Sequence, residues 1–265
     1  MSFNIHIVIF ARIRMIVMMK RFWVYPVLAL TLVSCKTNWS LNQVQPQKNT
    51  SISIDLEEDA TMKNVIAPYK ESLEKQMSAK LSYTEVELTK QGDNSSLGNL
   101  LADYTYDAAV KWAKNNNQPA IDAALINIGG IRSTIGQGDI LLKNVFEVMP
   151  FENELVVVKL SGKEIQDLFA YYLENLKNNP VSRITIETKG GQLLTALIDG
   201  KKVDPAKTYY IATSDYLAMG GDNMSFFKKG TMIMTGLKLR DLYIEEFKAH
   251  QNTVVPKDIR LTLKK

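Results

Sequence analysis

The 265-residue sequence holds two histidines and one cysteine, and these shortages exclude whole classes of chemistry before any motif is considered. Hydrolytic metal centres, two-metal phosphatase sites above all, need several His, Asp and Asn ligands held a few ångströms apart. His6 lies in an N-terminal stretch that reads as a discarded leader. His250 lies near the end of the last helical pattern, where a surface histidine or a favourable helix-end charge accounts for it. A histidine-assisted serine or cysteine nucleophile fails for the same reason. One cysteine excludes a disulfide framework and a thiolate zinc site, and a domain of this size buries enough core to stand without crosslinks. No repeat occurs at solenoid periods. Excess positive charge is also lacking once its location is considered. The 32 basic residues outnumber 28 acidic ones by four, and the four are Arg12, Arg14, Lys20 and Arg21 of the first 34 residues. The remainder is balanced, which gives no general attraction to nucleic acid or anionic lipid.

What is present begins with the address. After Lys20 and Arg21 comes an apolar run, Phe22 to Val33, too short to span a bilayer as a helix, so the stretch reads as the n- and h-regions of a signal peptide. The run ends LVSC, which resembles the lipobox of bacterial lipoproteins and makes Cys35 the expected lipidation site, rather than a buried or incidental cysteine. Residues before Met18 or Met19 read as upstream of the true start, because the sequence from there is a complete signal. Multiple acyl chains on Cys35, as the lipoprotein resemblance implies, anchor firmly where a single chain would not. The expected location is the bacterial cell envelope, periplasmic or outer surface. The expected organisation is a signal peptide over 1–34, a flexible lipid-anchored tether over 35–50 rich in Asn, Gln and Lys, and one domain over 51–265.

Within the domain, SISIDL (51–56) and LSYTEVEL (81–88) alternate as strands. Asp59 can cap a helix bearing Met62, Val65, Ile66, Tyr69, Leu73 and Met77 on one face, with Pro68 expected to kink or split it. Ser96 is expected to cap a second helix with Leu97, Leu100, Leu101, Tyr104, Ala108 and Trp112 on its buried stripe, ending before the polar run 115–118. IDAALI (121–126) is a buried strand. NELVVVKL (153–160) is another, and SGKE (161–164) is a capping box opening a helix to about Leu176. RITIE, QLLTALI with a turn at Asp199-Gly200, and TYYIAT follow as strands. A helix over 237–249 and a strand in DIRLTL close the chain. Mixed helices and strands without a clean βαβ alternation give an α+β class, with mixed α/β layers and partly antiparallel sheets.

Binding chemistry sits in three loops. In NIGGIR, Asn127 offers an amide suited to the edge of a heterocycle. Gly129 and Gly130 let the backbone turn and a ligand come close, and Arg132 offers a planar fork for hydroxyl or phosphate oxygens. Read alone, this is equally a strand-end turn followed by a solvated arginine. Phe151, in EVMPFENE, is either a loop aromatic for a ligand or a plug for the core. In SDYLAMGGDN, Tyr216 is followed by Gly220 and Gly221, which present Asp222; a glycine turn with a capping aspartate is the plainer reading. Two loop aromatics could sandwich a flat base while an aspartate accepts from ribose hydroxyls.

Taken together, SSLGNLLADYTYDAA, NIGGIR, the stretch from Gly138 to Phe151, the VKLSGKEI segment and VDPAKTYYIATSDYLAMGGD resemble, in order and spacing, the C-terminal domain of the 5'-nucleotidase and UDP-sugar hydrolase family. The resemblance runs from about Ser51 to the end. It implies a domain that binds the nucleoside part of a substrate while a separate metallophosphoesterase domain with two metal ions hydrolyses it. By position, it implies that Phe151 and Tyr216 stack on the two faces of the base and that Asn127 contacts the base edge. Arg132 and Asp222 would hold the ribose or nearby oxygens, beside the backbone of Gly129, Gly130 and Gly221. Tyr216 stands where phenylalanine is common and Ile128 where a small residue is common. Where the family supplies a further arginine before LGNL, this chain has Lys90 and Gln91.

No catalytic residue, metal ligand or cofactor is expected in the chain itself; divalent metals belong to a partner catalytic domain. The leading expectation is the nucleotide-recognising half of a split phosphohydrolase in nucleotide catabolism, inactive alone, with a nucleotide or nucleoside ligand, a separate metallophosphoesterase subunit and the membrane as partners. The alternatives are a stand-alone nucleoside-binding lipoprotein and a non-catalytic interaction module.

Overall fold

The computed structural model of the chain describes residues 45, 46, 48, 49, 51–53 and 56–265. The leader, Cys35 and most of the tether lie outside the described residues. Two units are distinguished, 1–57 and 58–265. In the first, the described residues form neither helix nor strand, and a 3.2 Å bond from the Leu56 N–H to the Ser53 carbonyl closes a turn. The strand expected from SISIDL is therefore not formed at Ser51–Ser53 or Leu56. Alternation alone makes no strand where a pairing ladder is lacking.

The second unit contains, in order, α1 (Ala60–Met77), β1 (Lys80–Thr84), α2 (Ser96–Asn115), β2 (Ala123–Leu125), β3 (Gly138–Leu141), α3 (Leu142–Val148), β4 (Glu154–Ser161) and α4 (Gly162–Asn175). There follow β5 (Val181–Ser182), β6 (Ile184–Lys189), β7 (Gln192–Ile198), β8 (Lys201–Lys202), β9 (Thr208–Ser214), α5 (Asp215–Ala218), β10 (Thr231–Lys238), α6 (Leu239–Ala249) and β11 (Leu261–Leu263). The central sheet has the order β10-β4-β9-β2-β5, with β2 parallel to β9 and the other pairs antiparallel. A second sheet, β11-β6-β7-β8, is antiparallel except for β11 against β6, and β1 pairs with β3. This is the mixed, partly antiparallel α+β architecture expected.

The central sheet is buried on both faces. Along β4, Leu155 and Val157 join the core made with Leu97 and Leu101 of α2 and Tyr243 and Phe247 of α6. Val156, Val158 and Leu160 join a second core with Ile165, Leu168, Phe169 and Tyr172 of α4 and Ile184, Ile186 and Leu261 of the second sheet. A strand covered on both sides has no polar face, which is why NELVVVKL reads as a continuous apolar run.

Local chemistry sets most helix ends. Asp59 Oδ1 accepts from the N–H groups of Thr61 and Met62 at 2.8 and 3.1 Å, so α1 starts where its cap is. The helix continues unbroken past Pro68. The capping box at α4 is complete: the Ser161 N–H donates to Glu164 Oε2 at 2.6 Å and the Glu164 N–H to Ser161 Oγ at 3.4 Å. At α2 the cap position is Ser95, one residue before the expected Ser96, whose hydroxyl instead accepts from the Thr89 N–H at 2.8 Å. Leu237 and Lys238 extend β10 rather than open α6, because they pair with Leu155 and Glu154 of β4. The strand from 81 is shorter than its alternation, ending at Thr84.

Candidate functional site

Strand direction brings the three loops to one end of the central sheet. Because β2 is parallel to β9, the chain leaving Leu125 into NIGGIR and the chain leaving Ser214 into DYLAMGGDN exit at the same end. Because β4 is antiparallel to β9, with Leu155 opposite Ser214, the loop carrying Phe151 enters there as well. Residues 127–132, 150–153 and 215–223 therefore converge by topology, although up to about ninety positions separate them in the sequence.

Hydrogen bonds fix each pair of loops. Between the first and third, the Ile128 N–H donates to Asn179 Oδ1 at 3.0 Å. Asn179 Nδ2 reaches the Tyr171 hydroxyl at 3.4 Å, and that hydroxyl donates to the Asp222 carbonyl at 3.1 Å. Burial raises the Tyr171 pKa, with a smaller push from Asp222, so the group stays a neutral donor. Between the second and third, Asn153 Nδ2 donates to Asp215 Oδ1 at 2.9 Å. Between the first and the end of α3 that leads into the second, the Arg132 N–H donates to the Val148 carbonyl at 2.9 Å, and the Arg132 guanidinium lies 5.8 Å from the Phe151 ring centre. The Phe151 loop is further held by Arg240 of α6, which donates to the Pro150 carbonyl at 3.1 Å and pairs with Glu152 beside Lys238. Hydrogen bonds from Lys238 and Arg240 keep the Glu152 carboxyl below its usual pKa.

The expected site residues fall into this frame as follows. Asn127 is half-buried, and its amide has no hydrogen-bond partner among the described residues. Its Oδ1 stands 3.0 Å from where a Cβ on Gly130 would lie, so a side chain at Gly130 would crowd the amide. Gly129 is exposed and its carbonyl accepts from Arg132 Nη1 at 3.2 Å. Arg132 is exposed and has no carboxylate within ion-pair distance among the described residues. Phe151 and Tyr216 are 45% and 42% exposed, and their rings make no contact with each other. Neither ring is a core plug.

Tyr216 is locked. Its hydroxyl donates to Asp222 Oδ1 at 3.0 Å and accepts from the Asp222 N–H at 3.2 Å. A Cβ on Gly221 would lie 2.5 Å from the Tyr216 ring, so only glycine fits there. Asp222 and Asn223 adopt φ of 51° and 65°, left-handed values that Asp and Asn tolerate best among side-chain-bearing residues. The carboxylate of Asp222 keeps Oδ2 for another donor.

Lys90 does not reach out as a second fork. Its ammonium donates to the Ile131 carbonyl at 2.8 Å. The peptide between Ile131 and Arg132 is therefore held by both its polar atoms, the carbonyl by Lys90 and the N–H by Val148. Lys90, Asn153, Tyr171, Asn179, Asp215 and Arg240 thus position the loops. Apart from Lys90, which stands near the family's arginine position, none has a local sequence signal, since each acts on a partner distant in the chain.

The LGNL stretch plays a different part. A Cβ on Gly98 would lie 2.2 Å from Ser95 Oγ and 2.6 Å from Pro180, so α2 packs where only glycine allows it. Asp103 forms a bidentate pair with the buried Arg260 at 2.8 and 2.7 Å. Both residues tie α2 to distant chain and are not part of the three loops. Among the described residues, no group of three or more His, Cys, Asp or Glu is placed to hold a metal ion, and no helix is long and apolar enough to cross a membrane.

Comparison with known proteins gives a consistent assignment. The profile of the family described as 5'-nucleotidase, C-terminal domain, matches residues 75–229. The trifunctional nucleotide phosphoesterase protein YfkN of Bacillus subtilis is 31% identical over 222 residues, covering 76% of this chain and 15% of that protein. Protein UshA of Escherichia coli is 29% identical over 177 residues, covering 63% of this chain and 30% of that protein. Among solved structures, the 5'-nucleotidase precursor of Thermus thermophilus superposes with a TM-score of 0.65 at 24% identity, over 77% of this chain and 43% of that one. The chain thus spans less than half the length of these relatives. From the profile match over more than half of its residues, the chain belongs to the 5'-nucleotidase C-terminal domain family.

Proposed function

We propose that this domain is the nucleotide-recognising half of a split phosphohydrolase: it holds the base and ribose of a nucleotide in the three-loop site while a metallophosphoesterase on a separate polypeptide hydrolyses the phosphate ester. The observation that carries this reading is the set of unspent groups at one sheet end. Two half-exposed rings, an Asn127 amide with no hydrogen-bond partner among the described residues, an Arg132 whose one side-chain hydrogen bond goes to the Gly129 carbonyl and which pairs with no carboxylate among those residues, and the Oδ2 of Asp222 stand there with binding capacity left. Planar faces, an amide edge and a carboxylate are the chemistry a nucleoside requires. Arg132 adds a planar fork for ribose or phosphate oxygens. The names of the relatives, a nucleotide phosphoesterase and a 5'-nucleotidase, point to the same substrate class. Hydrolysis is assigned to a partner because two histidines, one of them in the leader, do not furnish a two-metal ligand set. In this reading Cys35 is lipidated and keeps the domain at the cell envelope.

Calorimetry of the purified chain with AMP, adenosine and a UDP-sugar tests the recognition step. Saturable binding of at least one is expected; no heat with any of them would overturn the reading. A finer expectation concerns Lys90. Lys90→Met leaves the Ile131 carbonyl without its charged donor and lets Arg132 drift, so AMP affinity should fall about tenfold, the equivalent of one charge-assisted hydrogen bond. Lys90→Arg should restore most of it. Unchanged affinity in Lys90→Met would show that the contact has no part in binding.

A further inference from the structure

Helix α1 presents an apolar stripe that nothing in the described chain covers. Met62, Val65, Ile66, Tyr69 and Leu73 recur at the spacing of one helix face. Each is more than half exposed, Tyr69 at 76%, and no residue of the helix is buried. The contrast with α2, α4 and α6 is sharp, since each of those turns its apolar stripe into a core. A groove of about 680 Å³ along α1 is lined by α1 itself with Glu58 and Asp59, and no other element among the described residues supplies a wall. Helices in proteins draw most of their stability from packing an amphipathic face, so burying the stripe would add stability that the described residues do not provide.

We infer that this stripe is the docking face for the metallophosphoesterase polypeptide, an inference that rests on the split-enzyme reading above. Three observations choose that occupant. First, the matched region begins at residue 75, in the last turn of α1, and is by description a C-terminal domain, so in the relatives further chain precedes it. Second, the relatives are several times longer than the part they share with this chain, which leaves room there for the catalytic portion their names require. Third, two of the three lysines beside the stripe are already paired within the segment: Lys63 with Glu58 at 2.6 Å and Lys70 with Glu74 at 3.8 Å. From 58 to 77 there are three lysines against four acids. An anionic lipid surface selects a basic face and is disfavoured. A compensated face with a central exposed tyrosine suits an apolar protein surface, where aromatic residues anchor binding.

The test uses the full lipidated chain in its native cells, with a photo-reactive amino acid at Tyr69. The captured polypeptide is identified by mass, purified and mixed with the chain. The expected result is a metal-dependent phosphoesterase whose hydrolysis of AMP rises on adding the wild-type chain. The double variant Ile66→Glu, Leu73→Glu should bind it at least tenfold more weakly, while its AMP calorimetry and melting temperature match the wild type because both side chains are exposed. Capture of a second copy of this chain, of lipid, of a protein without phosphoesterase activity, or of nothing would overturn the inference, as would undiminished binding by the double variant. The two readings separate cleanly. Loss of AMP binding in the wild-type chain sinks the recognition site, whereas AMP binding with only self-capture sinks the docking face and leaves the site standing.

Discussion

Asp103→Ala is expected to lower the unfolding free energy by about 3 kcal/mol or more, the cost of leaving a buried charge with one partner removed. The Arg260 side chain is only 8% exposed, against 28% for Asp103 and 61% for Asp258. Its guanidinium donates to both oxygens of Asp103, to Asp258 at 2.7 and 3.0 Å, and to the carbonyls of Val181 and Asn99 at 2.8 and 3.2 Å. Asp103 also accepts from Ser182 Oγ at 2.6 Å. One side chain thus joins α2, β5 and the approach to β11. Without Asp103, the guanidinium keeps a carboxylate only on its solvent side. Arg260→Met should cost less than Asp103→Ala, because it removes the buried charge itself.

Acid should act on the same cluster. Hydrogen bonds from Arg260 lower the Asp258 pKa against a smaller opposing effect of burial. A carboxyl that titrates lower when folded than unfolded contributes stability above its unfolded pKa and loses it as pH falls through its folded pKa. Urea unfolding near neutrality and at pH below the usual carboxylate range should therefore show a loss in the wild type that shrinks in Arg260→Met. Equal stability of Asp103→Ala and wild type would refute the role given to the pair.

The second large effect is on binding. Phe151→Ala and Tyr216→Ala should each weaken AMP affinity about 10- to 100-fold, since stacking on an aromatic ring contributes about 1–3 kcal/mol per base. The Tyr216 change has a second consequence, because the hydroxyl that holds Asp222 Oδ1 is lost with the ring. Tyr216→Phe separates the two: it keeps the plate and releases the aspartate, and should cost only a few-fold. Both aromatic residues are nearly half exposed, so melting temperatures should change little. Titration of the single and double alanine variants gives the answer, and wild-type affinity in the double variant would remove the site.

Much of the scaffold was legible because its determinants are local. Asp59, the Ser161–Glu164 box and the Asp199-Gly200 turn act within four residues of themselves, and each appears where its pattern places it. The failures are those of long-range pairing. SISIDL alternates yet forms no ladder at its described residues, and β10 takes Leu237 from the following helix because β4 offers it a partner. At the site, the motif loops were visible through their glycines and aromatics, but their supports were not. Asn179 lies 51 residues from Ile128 and Asp215 lies 62 from Asn153, and nothing near any of these residues marks it as a partner.

The sequence by itself determined which chemistry the chain carries: two histidines, one cysteine, two loop aromatics, an amide and an arginine behind paired glycines. Tertiary structure alone decided that the aromatics, the amide and the arginine share one end of a sheet, since parallel β2 and antiparallel β4 both align on β9. It also decided that Lys90 serves the backbone rather than reaching toward a ligand, and that the described residues leave the stripe of α1 uncovered while the stripes of α2, α4 and α6 are buried. The reason is physical. Residue type fixes what a side chain can donate, accept or bury, whereas strand order and direction fix which side chains meet.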